Sequence, residues 1–588
     1  MRLDQVGRVD EFIKEQGAKC GLTVNEGKRG ITSLLPEFSV TNELVESGIP
    51  YVLQESRLEG LAIGTASLGG WNKLLGCPVG TEAFCRQRAV EIVGKKLARL
   101  KDIRKFHQTQ YEYVALSLCG GVADYLVRML GPDVTTDALE VLDKCKREVF
   151  SGTIQGDIDD LTWQVAKAPS DGIGLDIKDP AVVAIPQYLG ALGSTAKTLH
   201  RLEEAHRAAN RLAKAERFEA VRKALGAKPE IGGLVTVLHS VVKEENIPNK
   251  ILHIPSLDAM QDMPSSAAMS EYFHNRIARR ILRNPLWTRA QVARLQSGGQ
   301  PGAGLWATAI PAIPCNRTYP ELFGVMLRSR LQMCWSSAEC VRECRATLSG
   351  PNGGMCGLRA DAEHAIDPHH YMFSCKGRNR HVGHDVLTKL VQDMYRQLGV
   401  QTKKEPTGLV DGNNRPADVL ILPMEVCHDA TLPVALDVGV TDAGCNAAIV
   451  HGSSKVPDGA LKAAKDYTQV KLSRFEKLRE SNPVVGFDYR PIVFEATSAR
   501  GPEAQKWWNE ITGLAKDKES GWALGYGALM EYNGLAHAWS GQSFERHWGV
   551  RLSLALMQAT HRYGLGKVSE YTLVGGRRRR TRGNGDDR

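Results

Sequence analysis

No run of about 18 apolar residues occurs anywhere in the 588-residue chain, so no membrane span is expected. The opening stretch, MRLDQVGRVDEFIKEQG, spreads charge through a helical pattern and lacks the apolar core of a signal peptide. A disulfide framework is missing too. The thirteen cysteines are odd in number and thinly scattered, which suits a reducing, intracellular compartment. Hydrophobic residues make up 43% of the chain, enough to bury large cores. At roughly 150 residues each, the length holds three or four domains. A net charge of +9 permits nucleic-acid binding without demanding it. In the last twelve residues six Arg face two Asp, and the RRRRTR string there reads as a nucleic-acid arm, a nuclear-import signal or a solvated tail.

The stretch Arg415–Asp442, RPADVLILPMEVCHDATLPVALDVGVTD, reads as two short strands with one acid each, 417–422 with Asp418 and 433–440 with Asp437. A carboxylate inside such an aliphatic run costs roughly 3–5 kcal/mol if unpaired. Two outcomes are open. Asp418 caps a turn after Pro416 while Asp437 pairs with a buried Arg, or the two acids at the ends of neighbouring strands hold Mg²⁺, a hard cation that takes oxygen ligands.

Helical patterns cover Glu82–Leu100 and Tyr111–Leu130, and Asp159 is a natural N-cap for the helix DLTWQVAKA. Ser194–Gly226 reads as one long amphipathic helix with Leu199, Leu202, Leu212, Phe218, Val221 and Leu225 facing a core. Several short strings resemble the C-terminal palm and thumb of non-LTR retrotransposon polymerases. They are Gly21-Leu22-Thr23-Val24-Asn25-Glu26-Gly27-Lys28, Leu74-Leu75-Gly76-Cys77-Pro78-Val79-Gly80 and Gly172-Ile173-Gly174-Leu175, in the family's order. Polymerisation needs an acid pair on a hairpin and a further Asp to hold two metals. That hairpin would precede Gly21, so copying of nucleic acid is not expected of this chain. Farther on, Ser297–Pro311, with Pro301-Gly302-Ala303-Gly304, resembles a "PGAGAWL" signature of retroelement-derived proteins, for which packing is the expected role.

Between Cys334 and His384 the chain gathers Cys334, Cys340, Cys344, Cys356, His364, His369, His370, Cys375, His381 and His384. His370 and Cys375 have the spacing of half a CCHC knuckle, and Cys356 supplies a third Zn²⁺ ligand. For the fourth, Cys344 comes first and His369 and His381 next, and a degenerate knuckle without metal is the alternative. Bound, such a knuckle would present Lys376, Arg378 and Arg380 to DNA.

After it come a helix Val382–Leu398 ended by Gly399, three strands, a helix from about Asp458 to Leu478 and a strand Pro491–Glu495. That order, with Arg415-Pro416-Ala417-Asp418 and Ala435-Leu436-Asp437-Val438-Gly439-Val440-Thr441, resembles the endonuclease of non-LTR retrotransposons, of the PD-(D/E)-x-K superfamily. The resemblance implies that Asp418 and Asp437 hold Mg²⁺, that Glu405 or Glu495 adds a carboxylate, and that a lysine sits beside the attacking water. The superfamily's usual lysine position is Gly439 here. The family's following helix offers Lys471 first and Lys465 second.

The resulting expectation is an α/β multi-domain chain with a mostly helical N-terminal half and a restriction-endonuclease-like α/β core near its C-terminus. Its segments are a polymerase palm and thumb remnant (1–190), a helical linker (191–331), a knuckle-like segment (332–381), the nuclease core (382–500), a helical extension (501–576) and the basic tail (577–588). The expected activity is Mg²⁺-dependent nicking of DNA in the nucleus, with retroelement RNA as a second candidate partner. A catalytically inactive nucleic-acid-binding relic is the alternative.

Overall fold

A computed structural model describes residues 15, 70–74, 77–80, 82–227, 229–245, 247, 252–312, 314–333, 335, 382–410, 415–422, 432–481, 486–521 and 543–581. The four expected zinc ligands, Cys344, Cys356, His370 and Cys375, lie outside these residues, as does the string Gly21–Lys28. The described chain is mostly helical, with a two-stranded hairpin and one mixed four-stranded sheet. No helix among the described residues is long and apolar enough to cross a membrane.

The elements run β1 (Gly70–Leu74), β2 (Cys77–Gly80), α1 (Glu82–Asp102), α2 (Thr109–Leu118), α3 (Asp124–Met129), α4 (Pro132–Ile154), α5 (Asp160–Lys167), α6 (Pro180–Ala208), α7 (Leu212–Gly226), α8 (Pro229–Glu245), α9 (Ser266–Leu282), α10 (Arg289–Gly298) and α11 (Pro320–Arg330). Then follow α12 (Val382–Gln397), β3 (Thr402–Lys404), β4 (Val419–Ile421), β5 (Val434–Thr441), α13 (Asn446–Val450), α14 (Lys462–Ser481), β6 (Asp488–Glu495), α15 (Pro502–Gly521) and α16 (Phe544–Thr581). They fall into two compact units. One holds the described residues of 1–101, 120–146 and 180–273, the other those of 102–119, 147–179 and 274–588.

In the first unit the core joins α6 and α8 to the segment around Met260, through Leu189, Ala196, Ile231, Leu238, Met260 and Met269. The single helix expected over 194–226 is two. Asn210 adopts a left-handed φ of 56°, and Arg211 N–H returns to His206 O at 2.8 Å, closing α6 with an asparagine cap. α7 then folds back on α6, tied by Arg207–Glu219 at 2.6 Å and Arg222–Glu203 at 3.3 Å. Leu202, Leu212 and Val221, expected in a core, are exposed. The expected helix 111–130 also breaks, at Gly120-Gly121, between α2 and α3. Asp159 does cap α5, accepting from Thr162 N–H at 2.7 Å.

The second unit is organised on the sheet β3-β4-β5-β6, whose first two pairings are antiparallel and whose last is parallel. Alternation along the strands divides the side chains between two faces. Val419, Leu436, Val438, Ile492 and Phe494 pack with Leu387 and Val391 of α12, Trp507 and Ile511 of α15, and Trp548 and Leu556 of α16. Leu420, Ala435 and Tyr489 pack on the other face with Phe475 and Leu478 of α14.

The Pro301–Gly304 loop is a junction within this unit. Gly302 has a φ of 91°, disfavoured for any residue with a side chain. Arg500 N–H donates to Pro301 O at 2.9 Å, and the Ser498 hydroxyl donates to Ala303 O at 3.2 Å. A Cβ on Gly304 would fall 1.9 Å from Ser170 O. Nearby, the buried Arg330 guanidinium donates to the carbonyls of Gly172 and Gly174, and burial pulls its pKa down to about 10. The signature without assigned chemistry thus joins the 498–500 segment that follows β6 to the 170–174 turn, and the Arg330 side chain of α11 fastens that turn from the other side. Gly304→Ala forces backbone to move and is expected to cost about 3 kcal/mol, lowering the thermal midpoint by several degrees. Gly513→Ala, in open space on α15, should leave it level or raise it.

Candidate active site

β4 and β5 pair Val419 with Leu436 antiparallel, so one step farther Asp418 stands across from Asp437. Asp418 N–H donates to Leu436 O at 2.9 Å, which continues the ladder through the acid itself. Like charges directly opposite in a sheet repel, and here both side chains are more than four-fifths covered. The fold answers with donors. Asp418 Oδ2 accepts the Val438 N–H at 2.7 Å and lies 3.0 Å from His384 Nε2. Asp437 Oδ1 accepts from Lys471 Nζ at 2.6 Å, and its Oδ2 accepts a short hydrogen bond from the Tyr489 hydroxyl.

Lys471 comes from α14. Tyr467, Lys471 and Phe475 lie four apart, so they share one face of that helix. The ammonium lies 5.3 Å from the Tyr467 ring centre and donates to Val438 O at 3.0 Å. Phe475 stacks on Tyr489 at 4.1 Å, holding the phenol that faces Asp437. Gly439 makes room for this arrangement. A Cβ there would sit 2.8 Å from Lys471 Cε and 2.9 Å from Tyr467 Cε1. The ammonium therefore reaches the acid from the helix, across space that a side chain at 439 would fill.

The two acids are displaced in opposite senses. Burial pushes the Asp437 carboxyl up, with the charge of Asp418 adding to it, and Lys471 only partly offsets this. Burial also opposes ionisation of Asp418, but the hydrogen bond and charge of His384, with the Val438 N–H, hold it below the usual range. His384 is raised to about 9 by its hydrogen bond to Asp418, against the effect of burial.

The other expected site residues stand elsewhere. Glu405, at a left-handed φ of 43°, pairs with Arg415 at 2.5 Å and is well exposed. Lys465 is exposed on α14, six residues and most of a half-turn around from Lys471. Glu495 is fully buried, and its Oε1 accepts the Ala464 N–H at 3.1 Å, in the first turn of α14. It thus satisfies a helix N-terminus two turns before Lys471. The Asp–Arg pair expected of Asp437 exists five residues on, where the buried Asp442 meets Arg294 of α10 at 3.2 Å. Asp418 caps no turn. Its carboxylate holds the strand β5 instead.

Two residues at the acids escaped the sequence reading. Tyr489 lies two residues before the strand expected over Pro491–Glu495 and carries no signal of its own, and His384 falls among the knuckle histidines. Among the described residues, no three or more His, Cys, Asp or Glu side chains form a ready-made metal cluster. Both oxygens of Asp437 are directed at protein donors. The donor chemistry nonetheless suits a hard cation. Two largely buried carboxylates face each other across the ladder, and oxygen donors so paired are what a divalent ion such as Mg²⁺ takes. No protein-family model matches the sequence, and no curated protein is similar to it.

Glu495 yields a pH prediction. Burial raises its folded pKa to about 7, above the ordinary 4.5. Its contribution to stability is therefore complete below about pH 4.5 and is lost as pH rises through 7. Relative to Glu495→Gln, the wild type should lose about 3 kcal/mol between pH 4.5 and pH 8. Denaturant unfolding of the two proteins across that range reads it directly, and parallel curves would contradict the assignment.

Proposed function

We propose that the second unit is a restriction-endonuclease-like phosphodiesterase of retroelement origin, which nicks DNA with Mg²⁺. The observation that carries this reading is the cross-strand pair Asp418–Asp437 with Lys471 Nζ 2.6 Å from the second acid. Phosphodiester hydrolysis asks for that combination: carboxylates to hold a divalent ion, and a cation where charge gathers during in-line attack. Asp418 and Asp437 would hold the Mg²⁺. When bound, it supplies charge neutralisation at the scissile phosphate and acidifies water. Lys471, fixed by Asp437 and the Val438 carbonyl, presents its ammonium to the attacking water and the phosphate oxygens. Tyr489 keeps the Asp437 carboxylate in one orientation.

DNA is the proposed substrate, with retroelement RNA as a second candidate ligand. The basic tail supports electrostatic attachment to nucleic acid and a nuclear location. Zn²⁺ at Cys344, Cys356, His370 and Cys375 belongs to the same proposal. A second reading, an inactive nucleic-acid-binding relic, is favoured by one observation: Asp437 already spends both oxygens on Lys471 and Tyr489.

Relaxation of supercoiled plasmid with Mg²⁺ separates the two. Wild-type protein should nick, and Asp437→Asn and Lys471→Met should each fall by about a hundredfold or more. Equal nicking by all three removes the catalytic reading. The relic reading expects no nicking but duplex affinity that falls steeply with salt.

A further inference from the structure

We propose that His384 is a ligand of the same divalent ion as Asp418, through Nε2, with Asp385 orienting its imidazole. The inference rests on the reading that the Asp418–Asp437 pair takes a divalent ion, and it adds a nitrogen donor to that site.

The spacing is that of two neighbouring ligands. His384 Nε2 and Asp418 Oδ2 are 3.0 Å apart. Two donors bound at right angles to one ion, each at about 2.1 Å, lie about 3.0 Å from each other. The other ring nitrogen is also placed. His384 Nδ1 lies 3.1 Å from Asp385 Oδ1. Both ring nitrogens face ionised carboxylates, which only accept, so each carries a hydrogen; Asp385 retains the one on Nδ1, and Nε2 gives up its own where it turns to the ion. A carboxylate behind the histidine, with the second nitrogen directed at the site, is how proteins orient metal-binding imidazoles. On binding, the ion replaces the proton shared between Nε2 and Asp418, and that proton is released.

The backbone under His384 is held as well. A Cβ on Gly383 would meet Leu556 Cδ1 at 2.9 Å and Thr560 Cγ2 at 3.3 Å. The first turn of α12 is thus pressed against α16, and the imidazole starts from a fixed point. Asp418 is fixed by the ladder and by the Val438 N–H, so neither ligand has to travel to meet the other. An imidazole in an otherwise oxygen set shifts preference along the first-row metals, toward Mn²⁺ and Co²⁺ and away from Mg²⁺.

The test uses the full chain with Mn²⁺ as the probe and no DNA. Titration by electron paramagnetic resonance gives the affinity, and electron spin-echo modulation detects a ¹⁴N nucleus on the bound ion. Wild type should show ¹⁴N modulation and bind Mn²⁺ at least tenfold more tightly than Mg²⁺. His384→Gln and His384→Ala should lose the modulation while still binding Mn²⁺ more weakly, and Asp385→Ala should weaken binding about tenfold or more. Unchanged modulation in both His384 variants, or its absence in the wild type with Mn²⁺ bound, overturns the role of His384 and leaves the carboxylate site standing. Mn²⁺ binding that is absent, or indifferent to Asp418→Asn and Asp437→Asn, overturns the ion site itself.

Discussion

The second unit depends on a repulsion that the fold has to contain. Two aspartates face each other across one step of an antiparallel ladder, in a sheet whose faces are both packed. Left alone, such a pair would protonate or pry the strands apart. Nearly everything within reach answers it: a backbone N–H from Val438, a histidine from α12, a lysine from α14 and a phenol from β6. Each donor arrives on a different element. The sheet order, the placing of α14 over β5 and the docking of α12 at the opposite face are therefore all felt at one spot.

Much of this architecture is legible in the chain itself. The strands around Asp418 and Asp437, the helix ended by Gly399, and the helix bearing Lys471 announce themselves through aliphatic runs, caps and period. Lys471 stood first among two lysines, and it is the one beside Asp437. Contacts distant in sequence were not legible. Nothing near position 489 says that a tyrosine will meet an acid 52 residues earlier, and His384 sits in a run of cysteines and histidines that suggests another purpose. Breaks hid inside good periodicity as well. Asn210 passes for an ordinary helical residue until its backbone turns left-handed.

Glu495 has a task the chain does not announce. The resemblance offers it, or Glu405, as an added carboxylate for the ion, while its buried Oε1 accepts the Ala464 N–H and so satisfies the start of α14 inside the core. The Pro301–Gly304 loop, for which packing is the expected role, uses its glycines to let separate stretches of backbone approach one another.

The placement of the ammonium on a helix, and not on the strand beside Asp437, changes which lesions its contact with that acid can survive. Seven residues separate the anchored amide at Ala464 from Lys471, just under two turns. One residue gained or lost within that interval would swing the lysine by about 100° while sheet, acids and anchor stayed in place. Length changes in the loop before Lys462 would leave the lysine where it is. A single-codon slip within two helical turns would thus part Lys471 from Asp437 and keep a protein that still folds.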